Sequence, residues 1–191
     1  MKTYLYLPRD IEYVESGVNL LERIFKTEVL LITRIPLEES IENGILWINS
    51  HGYKRTGDHD YMIEAGNVKP EFKKYVKRGQ ERDYIESVDL PKFFNVKNSL
   101  IIFDSCYSSE INISTLSNWK SNSILTTGYI PDVYNTQWSG LIKFLCMIHD
   151  KFIAEKKGTF LTPELIRENK EMVNNLAEFV NFEYGTEFSL F

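Results

Sequence analysis

Two uninterrupted apolar runs constrain the fold of this chain more than any other feature. Residues 45–48 are Ile-Leu-Trp-Ile, and residues 100–103 are Leu-Ile-Ile-Phe. Runs without polar alternation are typical of strands buried on both faces of a parallel sheet. His51 follows the first run closely, and Cys106 follows the second. Because the crevice of such a sheet opens at the carboxyl ends of its strands, we expect an imidazole and a thiol on one edge.

The rest of the chain alternates strands with helices. Further strands are predicted over residues 3–7, 28–33 and 123–127, all of them buried. Helices are predicted after Asp10 as N-cap, over residues 138–152, and from Thr162 as N-cap with Pro163 at the first helical position. Residues 36–42 are expected to make one or two helical turns, and residues 182–191 to end the chain as an edge strand or a docked coil. This alternation predicts an α/β fold with a mostly parallel central sheet flanked by helices.

A charged segment, residues 53–84, interrupts the alternation. Within it, residues 61–65 and 72–76 are predicted to pair as a small hairpin around Gly66 and Asn67. Two interpretations remain open for the segment as a whole. It is either a solvated excursion over the active edge, or a lid or exposed basic cleavage site.

Composition limits the classes of function. The chain has 191 residues, of which 43% are hydrophobic, so residues 1–191 are expected to form one domain. A net charge of −5 argues against a nucleic-acid partner. No apolar run reaches the roughly 18 residues of a membrane span, and the first residues lack the apolar stretch of a signal peptide. Two cysteines in dissimilar surroundings do not make a disulfide framework, so a cytoplasmic location is expected.

His51 and Cys106 together predict nucleophilic catalysis. A thiol is mostly protonated at neutral pH, and a neighbouring imidazole can take its proton and return it to the leaving amine. Gly52 has no Cβ, so substrate can approach its backbone. Its N–H can join that of Cys106 in an oxyanion hole.

These residues resemble those of the caspase-like clan of cysteine peptidases, which includes metacaspases and bacterial CHAT proteases. The resemblance rests on Leu46-Trp-Ile-Asn-Ser-His-Gly52 and Ile101-Ile-Phe-Asp-Ser-Cys-Tyr-Ser-Ser109. It implies a caspase-like three-layer sandwich, with Cys106 as nucleophile and His51 as general acid and base. It departs from the metacaspase pattern at Ser108-Ser109, where those proteins usually carry Ser-Gly.

The resemblance also implies where substrate binds. The clan places a specificity residue two positions before the nucleophile, and this chain has Asp104 there, as metacaspases that cut after Arg or Lys do. A carboxylate at the base of a pocket is expected to select a cation, because an unpaired buried charge is costly. A weaker match over residues 125–131 implies that Thr127 and Tyr129 line the substrate groove. Asp132 is a possible second carboxylate there.

No metal or cofactor is expected, because no acidic cluster matches the calcium site of some metacaspases. The expected partners are a protein or peptide substrate and either an activating protein or a second copy of the chain. Two alternatives to a peptidase remain. One is a caspase-fold adaptor or regulatory subunit that binds without turnover. The other is an α/β domain of another class, such as a receiver or a small-molecule hydrolase.

Overall fold

A computed structural model describes residues 1–8, 14–54, 61–128, 134–155 and 157–191 of the chain. The strands are β1 (Lys2–Tyr6), β2 (Glu28–Ile32), β3 (Ile41–Glu42), β4 (Ile45–Asn49), β5 (Gly52–Lys54), β6 (Tyr61–Glu64), β7 (Val76–Arg78), β8 (Asp83–Glu86), β9 (Val96–Lys97), β10 (Leu100–Asp104), β11 (Ser123–Thr126) and β12 (Ser189–Leu190). The helices are α1 (Val14–Phe25), α2 (Leu90–Phe93), α3 (Tyr134–Ala154), α4 (Pro163–Glu168) and α5 (Lys170–Tyr184).

Six strands form the central sheet, in the order β12-β11-β10-β4-β1-β2. All neighbours are parallel except β12, which runs antiparallel to β11 along one edge. The two apolar runs of the sequence are β4 and β10, and they lie side by side at the centre of the sheet. The prediction of a mostly parallel sheet flanked by helices is confirmed. Of the two alternatives for residues 182–191, the edge strand is present at residues 189–190, whereas residues 182–184 belong to helix α5.

The central sheet separates two hydrophobic cores. On one face, alternate residues such as Trp47 and Ile102 pack against helices α1, α3, α4 and α5. On the other face, the intervening residues such as Ile48 and Phe103 pack against α2, short helical turns and a small antiparallel sheet. Because β4 and β10 are buried on both faces, their positions are fixed from both sides.

The small sheet contains four strands in the order β5-β6-β8-β7. It corrects two predictions for residues 53–84. Residues 61–65 do not pair with residues 72–76, because β6 pairs with β5 and β8, and residues 70–75 form a 3₁₀ helix. Nor are all the described parts of the segment a solvated excursion, since Tyr61 and Ile63 are fully buried in the second core, whereas most of residues 70–83 are exposed.

Two further predictions need correction. Strand β2 is not buried on both faces, because it lies at the open edge of the sheet and Leu31 is 57% exposed. Residues 36–42 make no helical turn; their last two residues form β3, which pairs with β9. The N-cap predicted at Asp10 lies outside the described residues. Thr162 caps α4 as predicted, since its Oγ1 accepts a hydrogen bond of 3.1 Å from the Leu165 N–H.

Candidate active site

The register of β4 and β10 brings His51 and Cys106 to the same edge of the sheet. Asn49 of β4 lies opposite Asp104 of β10. His51 and Cys106 each follow two positions after this pair. The ladder continues one step further, because the Ser50 N–H donates to the Asp104 carbonyl over 3.4 Å. His51 and Cys106 therefore leave neighbouring strands at the same level.

Gly52 packs directly on the backbone of Cys106. A Cβ on Gly52 would lie 1.8 Å from the Cys106 carbonyl oxygen and 3.0 Å from its nitrogen. Only glycine fits there, because no side chain tolerates such an approach. The backbone N–H groups of Gly52 and Cys106 lie close enough to the Cys106 sulfur to favour its thiolate form. The two amides expected to form the oxyanion hole therefore lie next to each other, beside the thiol.

Burial raises the pKa of the Cys106 thiol above its ordinary value. The negative charge of Asp104 raises it further, whereas the two N–H donors lower it and only partly offset the burial. The thiol is consequently protonated at neutral pH, so a nucleophilic role requires a base that takes its proton.

Asp104 is a partly buried carboxylate held by neutral donors. Its Oδ2 accepts hydrogen bonds from Asn49 Nδ2 at 2.6 Å and from Trp47 Nε1 at 3.2 Å. Burial raises its pKa to about 6, against the lowering effect of these two bonds. Among the described residues, no lysine or arginine forms an ion pair with it. The site therefore holds a carboxylate without a cation in the described part of the chain.

The turn after Cys106 is tied to the neighbouring strand end. Tyr107 adopts a left-handed backbone conformation (φ 59°), which turns the chain sharply and buries Ser108 completely. The Ser108 Oγ then accepts hydrogen bonds from the N–H groups of Thr127 at 3.1 Å and Gly128 at 2.9 Å. One serine hydroxyl thus links the segments that follow β10 and β11.

A second hydrogen bond links Ser105, the residue before Cys106, to the small sheet. The hydroxyl groups of Tyr61, on β6, and of buried Ser105 are hydrogen-bonded to each other. The Tyr61 ring packs edge-on against Phe103 of β10, with centroids 5.9 Å apart. The side chain of Ser105, which precedes Cys106, is therefore held by a residue of the second core.

Of the residues predicted to line the substrate groove, the structure describes Thr127. The Thr127 side chain is only 1% exposed, and its Oγ1 donates to the Phe103 carbonyl over 3.1 Å. The Thr127 side chain therefore supports the sheet edge, and a role of this residue in substrate binding stays a prediction. Tyr129 and Asp132 lie outside the described residues. Sequence reasoning missed Asn49, whose only signal was a polar side chain directly after an apolar run.

A groove of about 800 Å³ extends over the small sheet beside the site. Tyr53, which follows Gly52, is one of the residues that line this groove, whereas His51 and Cys106 do not line it. Within the described residues, no group of three or more His, Cys, Asp or Glu side chains could hold a metal ion. No helix in the described part of the chain has both the length and the apolarity needed to cross a membrane.

Comparisons of the chain with protein-family models, with curated proteins and with solved structures found no match.

Proposed function

We propose that this protein is a cysteine endopeptidase with a caspase-like fold, in which Cys106 is the nucleophile and His51 the general acid and base. The observation that carries the proposal is the direct packing of the Gly52 backbone on the Cys106 backbone, which places both amides beside the thiol and next to the segment that holds His51. The oxyanion that forms when the sulfur attacks a carbonyl carbon is stabilised by backbone donors next to the nucleophile, and these two amides are the proposed donors.

In the proposed reaction, His51 takes the proton of the Cys106 thiol, and the thiolate attacks the carbonyl carbon of the scissile peptide. The C–N bond then breaks, and the amine leaves with the proton from His51 while the acyl group remains on sulfur as a thioester. Water, deprotonated by His51, hydrolyses the thioester, and this proton returns to the Cys106 sulfur.

The proposed specificity is for Arg or Lys on the amino side of the scissile bond, with Asp104 at the base of the pocket. Support comes from the hydrogen bonds of Asp104, whose donors are an indole and an amide, so its charge is not neutralised by them. A substrate guanidinium would supply charge-assisted hydrogen bonds, which are about twice as strong as neutral ones.

A second candidate is a caspase-fold adaptor or regulatory subunit that binds a protein partner without turnover. The raised pKa of Cys106 favours this candidate, because a protonated thiol is a poor nucleophile.

A peptidyl acyloxymethyl ketone ending in Arg separates the two candidates, because it alkylates a cysteine only where a thiolate is generated beside a bound peptide. We expect mass spectrometry to find the label on Cys106. Cys106→Ala should remove it, and His51→Ala should slow labelling about 10²–10⁴-fold. Cys146→Ala, which removes the other cysteine of the chain, is the matched control and should be labelled like the parent.

A folded parent protein that is neither labelled nor able to cut peptides after Arg or Lys would overturn the peptidase proposal and favour the adaptor. Labelling of Cys106→Ala at the parent rate would show that Cys106 is not the nucleophile.

A further inference from the structure

A buried carboxylate on the small sheet lies directly opposite His51. The Glu64 N–H donates to the His51 carbonyl over 3.0 Å, which extends the antiparallel register of β5 and β6 by one pair beyond Gly52 and Ile63. Side chains of directly paired residues lie on the same face, with Cβ atoms about 4.5–5.5 Å apart. Ile63 faces the second core, so Glu64 and His51 occupy the opposite face.

Glu64 is unusual among the acidic residues of the described chain because it is only 3% exposed. Its backbone carbonyl accepts a hydrogen bond of 3.1 Å from the Tyr6 hydroxyl, which fixes the strand at this point. Its Oε2 lies 3.5 Å from Arg82 Nη1, a long ion pair.

We propose that Glu64 is a positioning residue for His51, orienting the imidazole and stabilising the protonated form that arises when Cys106 gives up its proton. The inference rests on the proposed function, in which His51 receives that proton. A carboxylate within about 4–6 Å favours a cation. Glu64 would therefore assist the step that the buried thiol makes difficult.

Charged or titratable groups lie on the described strands next to the pair of His51 and Glu64. Glu64 comes from β6, and Arg82, next to it, partly offsets its charge. Tyr84 lies opposite Glu64 on β8, and burial raises its pKa, so it is neutral. Asp104 and Cys106 approach from the end of β10. Of these groups, Glu64 and Arg82 carry opposite charges. Removing one of these charges should therefore shift the pKa of His51 in the opposite direction to removing the other.

The test is an NMR titration of His51 in the folded protein, which does not require peptidase activity. The chain has three histidines, and His59→Gln and His149→Gln variants leave the His51 signal identifiable. We expect Glu64→Gln to lower the pKa of His51 by about one pH unit, because it removes a neighbouring negative charge. Arg82→Met should raise it, because the charge of Glu64 is then no longer offset.

Glu86→Gln is the matched control. It removes one negative charge from the same small sheet, but Glu86 lies opposite Met62 and pairs with Lys77 at 3.7 Å. The pKa of His51 should not change in this variant. If Glu64→Gln fails to fold, the rise expected in Arg82→Met still tests the proposal.

The activity measurement adds a second readout. In Glu64→Gln, kcat/KM for an Arg peptide should fall about tenfold at pH 7.5, and its acidic limb should move to lower pH with the pKa of His51. Glu64→Asp should restore part of the lost kcat/KM and part of the shift in the acidic limb. A pKa of His51 that is unchanged in both Glu64→Gln and Arg82→Met overturns the inference, even in an active peptidase. A parent without activity, whose His51 still responds to both substitutions, overturns the proposed function alone.

Discussion

Asp104 shows, at the scale of a single residue, how the site sets the charge of one group. Both of its hydrogen bonds end on the same oxygen, Oδ2, and both come from neutral donors, Asn49 and Trp47. Burial therefore dominates and raises the pKa to about 6. A cation placed beside this carboxylate would reverse the balance, because an opposite charge favours the ionised form.

The pH dependence of selectivity follows from this pKa. In the proposed peptidase, Asp104 would attract a substrate Arg only when it is ionised, so the preference for Arg over citrulline, its uncharged analogue, should fall as the pH drops through about 6. The measurement is the ratio of kcat/KM for two fluorogenic peptides that differ only in Arg or citrulline. Titration of Cys106 and His51 affects both substrates equally and cancels in the ratio. In Asp104→Asn the ratio should be near one at every pH, and a pH-independent preference in the parent would contradict the role of Asp104.

The sequence predicted which residues reach the site edge, but it did not predict how they are held. His51, Gly52 and Cys106 each follow an apolar run, and the positions of such runs can be read directly. The donors to Asp104 could not be read in this way, because they come from a neighbouring strand more than 50 positions away and depend on the register.

At the scale of elements, the site depends on the segments that follow β10 and β11. Ser108 joins them with one buried hydroxyl, and Ser105 joins β10 to the small sheet through Tyr61. All three of these hydrogen bonds are made by side chains and do not belong to the backbone hydrogen bonds of a strand or a helix. The positions of these segments therefore depend on single side chains, and a change at one of them should alter stability and activity together.

Replacing Ser108 tests this dependence. Ser108→Ala leaves the Gly128 N–H without its acceptor in a buried position, so the free energy of unfolding should fall by about 1–3 kcal/mol. Urea denaturation measures this change. Ser109→Ala is the control, because its hydroxyl bonds the exposed carboxylate of Glu187. That variant should lie within about 0.5 kcal/mol of the parent. Equal losses in the two variants would show that the buried link is not what stabilises the segments.

The predictions of elements were correct where the pattern was local and wrong where pairing was distant. Strands β4 and β10 are continuous apolar runs, and α4 has its cap and proline within two residues. The partners of β6 could not be chosen locally, because β5, β8 and residues 72–76 are all near enough in sequence to pair. Residues 41–42 form a strand only because β9 lies beside them.

At the scale of the whole molecule, the C-terminal residues join the central sheet to the helical core. Strand β12 pairs with β11, and the preceding Phe188 is 2% exposed. Its ring stacks on Phe144 of α3 with centroids 5.1 Å apart. One residue thus connects the edge of the sheet with the helix that covers it.

Two phenylalanines near the end of the chain should consequently differ in their effect on stability. Phe188→Ala removes a buried ring and should lower the free energy of unfolding by about 3–5 kcal/mol. Phe182→Ala removes a ring that is 93% exposed, so its effect should be within about 0.5 kcal/mol. Thermal or urea unfolding measures both. Similar values for the two variants would mean that the end of the chain does not contribute to the core.

The protonated state of Cys106 also bears on how the protein tolerates oxidants. Peroxides attack thiolates, and sulfenic acid forms most readily at exposed cysteines of low pKa. Burial keeps the Cys106 thiol protonated at rest, so oxidation to sulfenic acid should be slow until a bound peptide and His51 bring about its ionisation. In the proposed peptidase, Cys106 would thus be protected from oxidative damage while idle and vulnerable only during turnover.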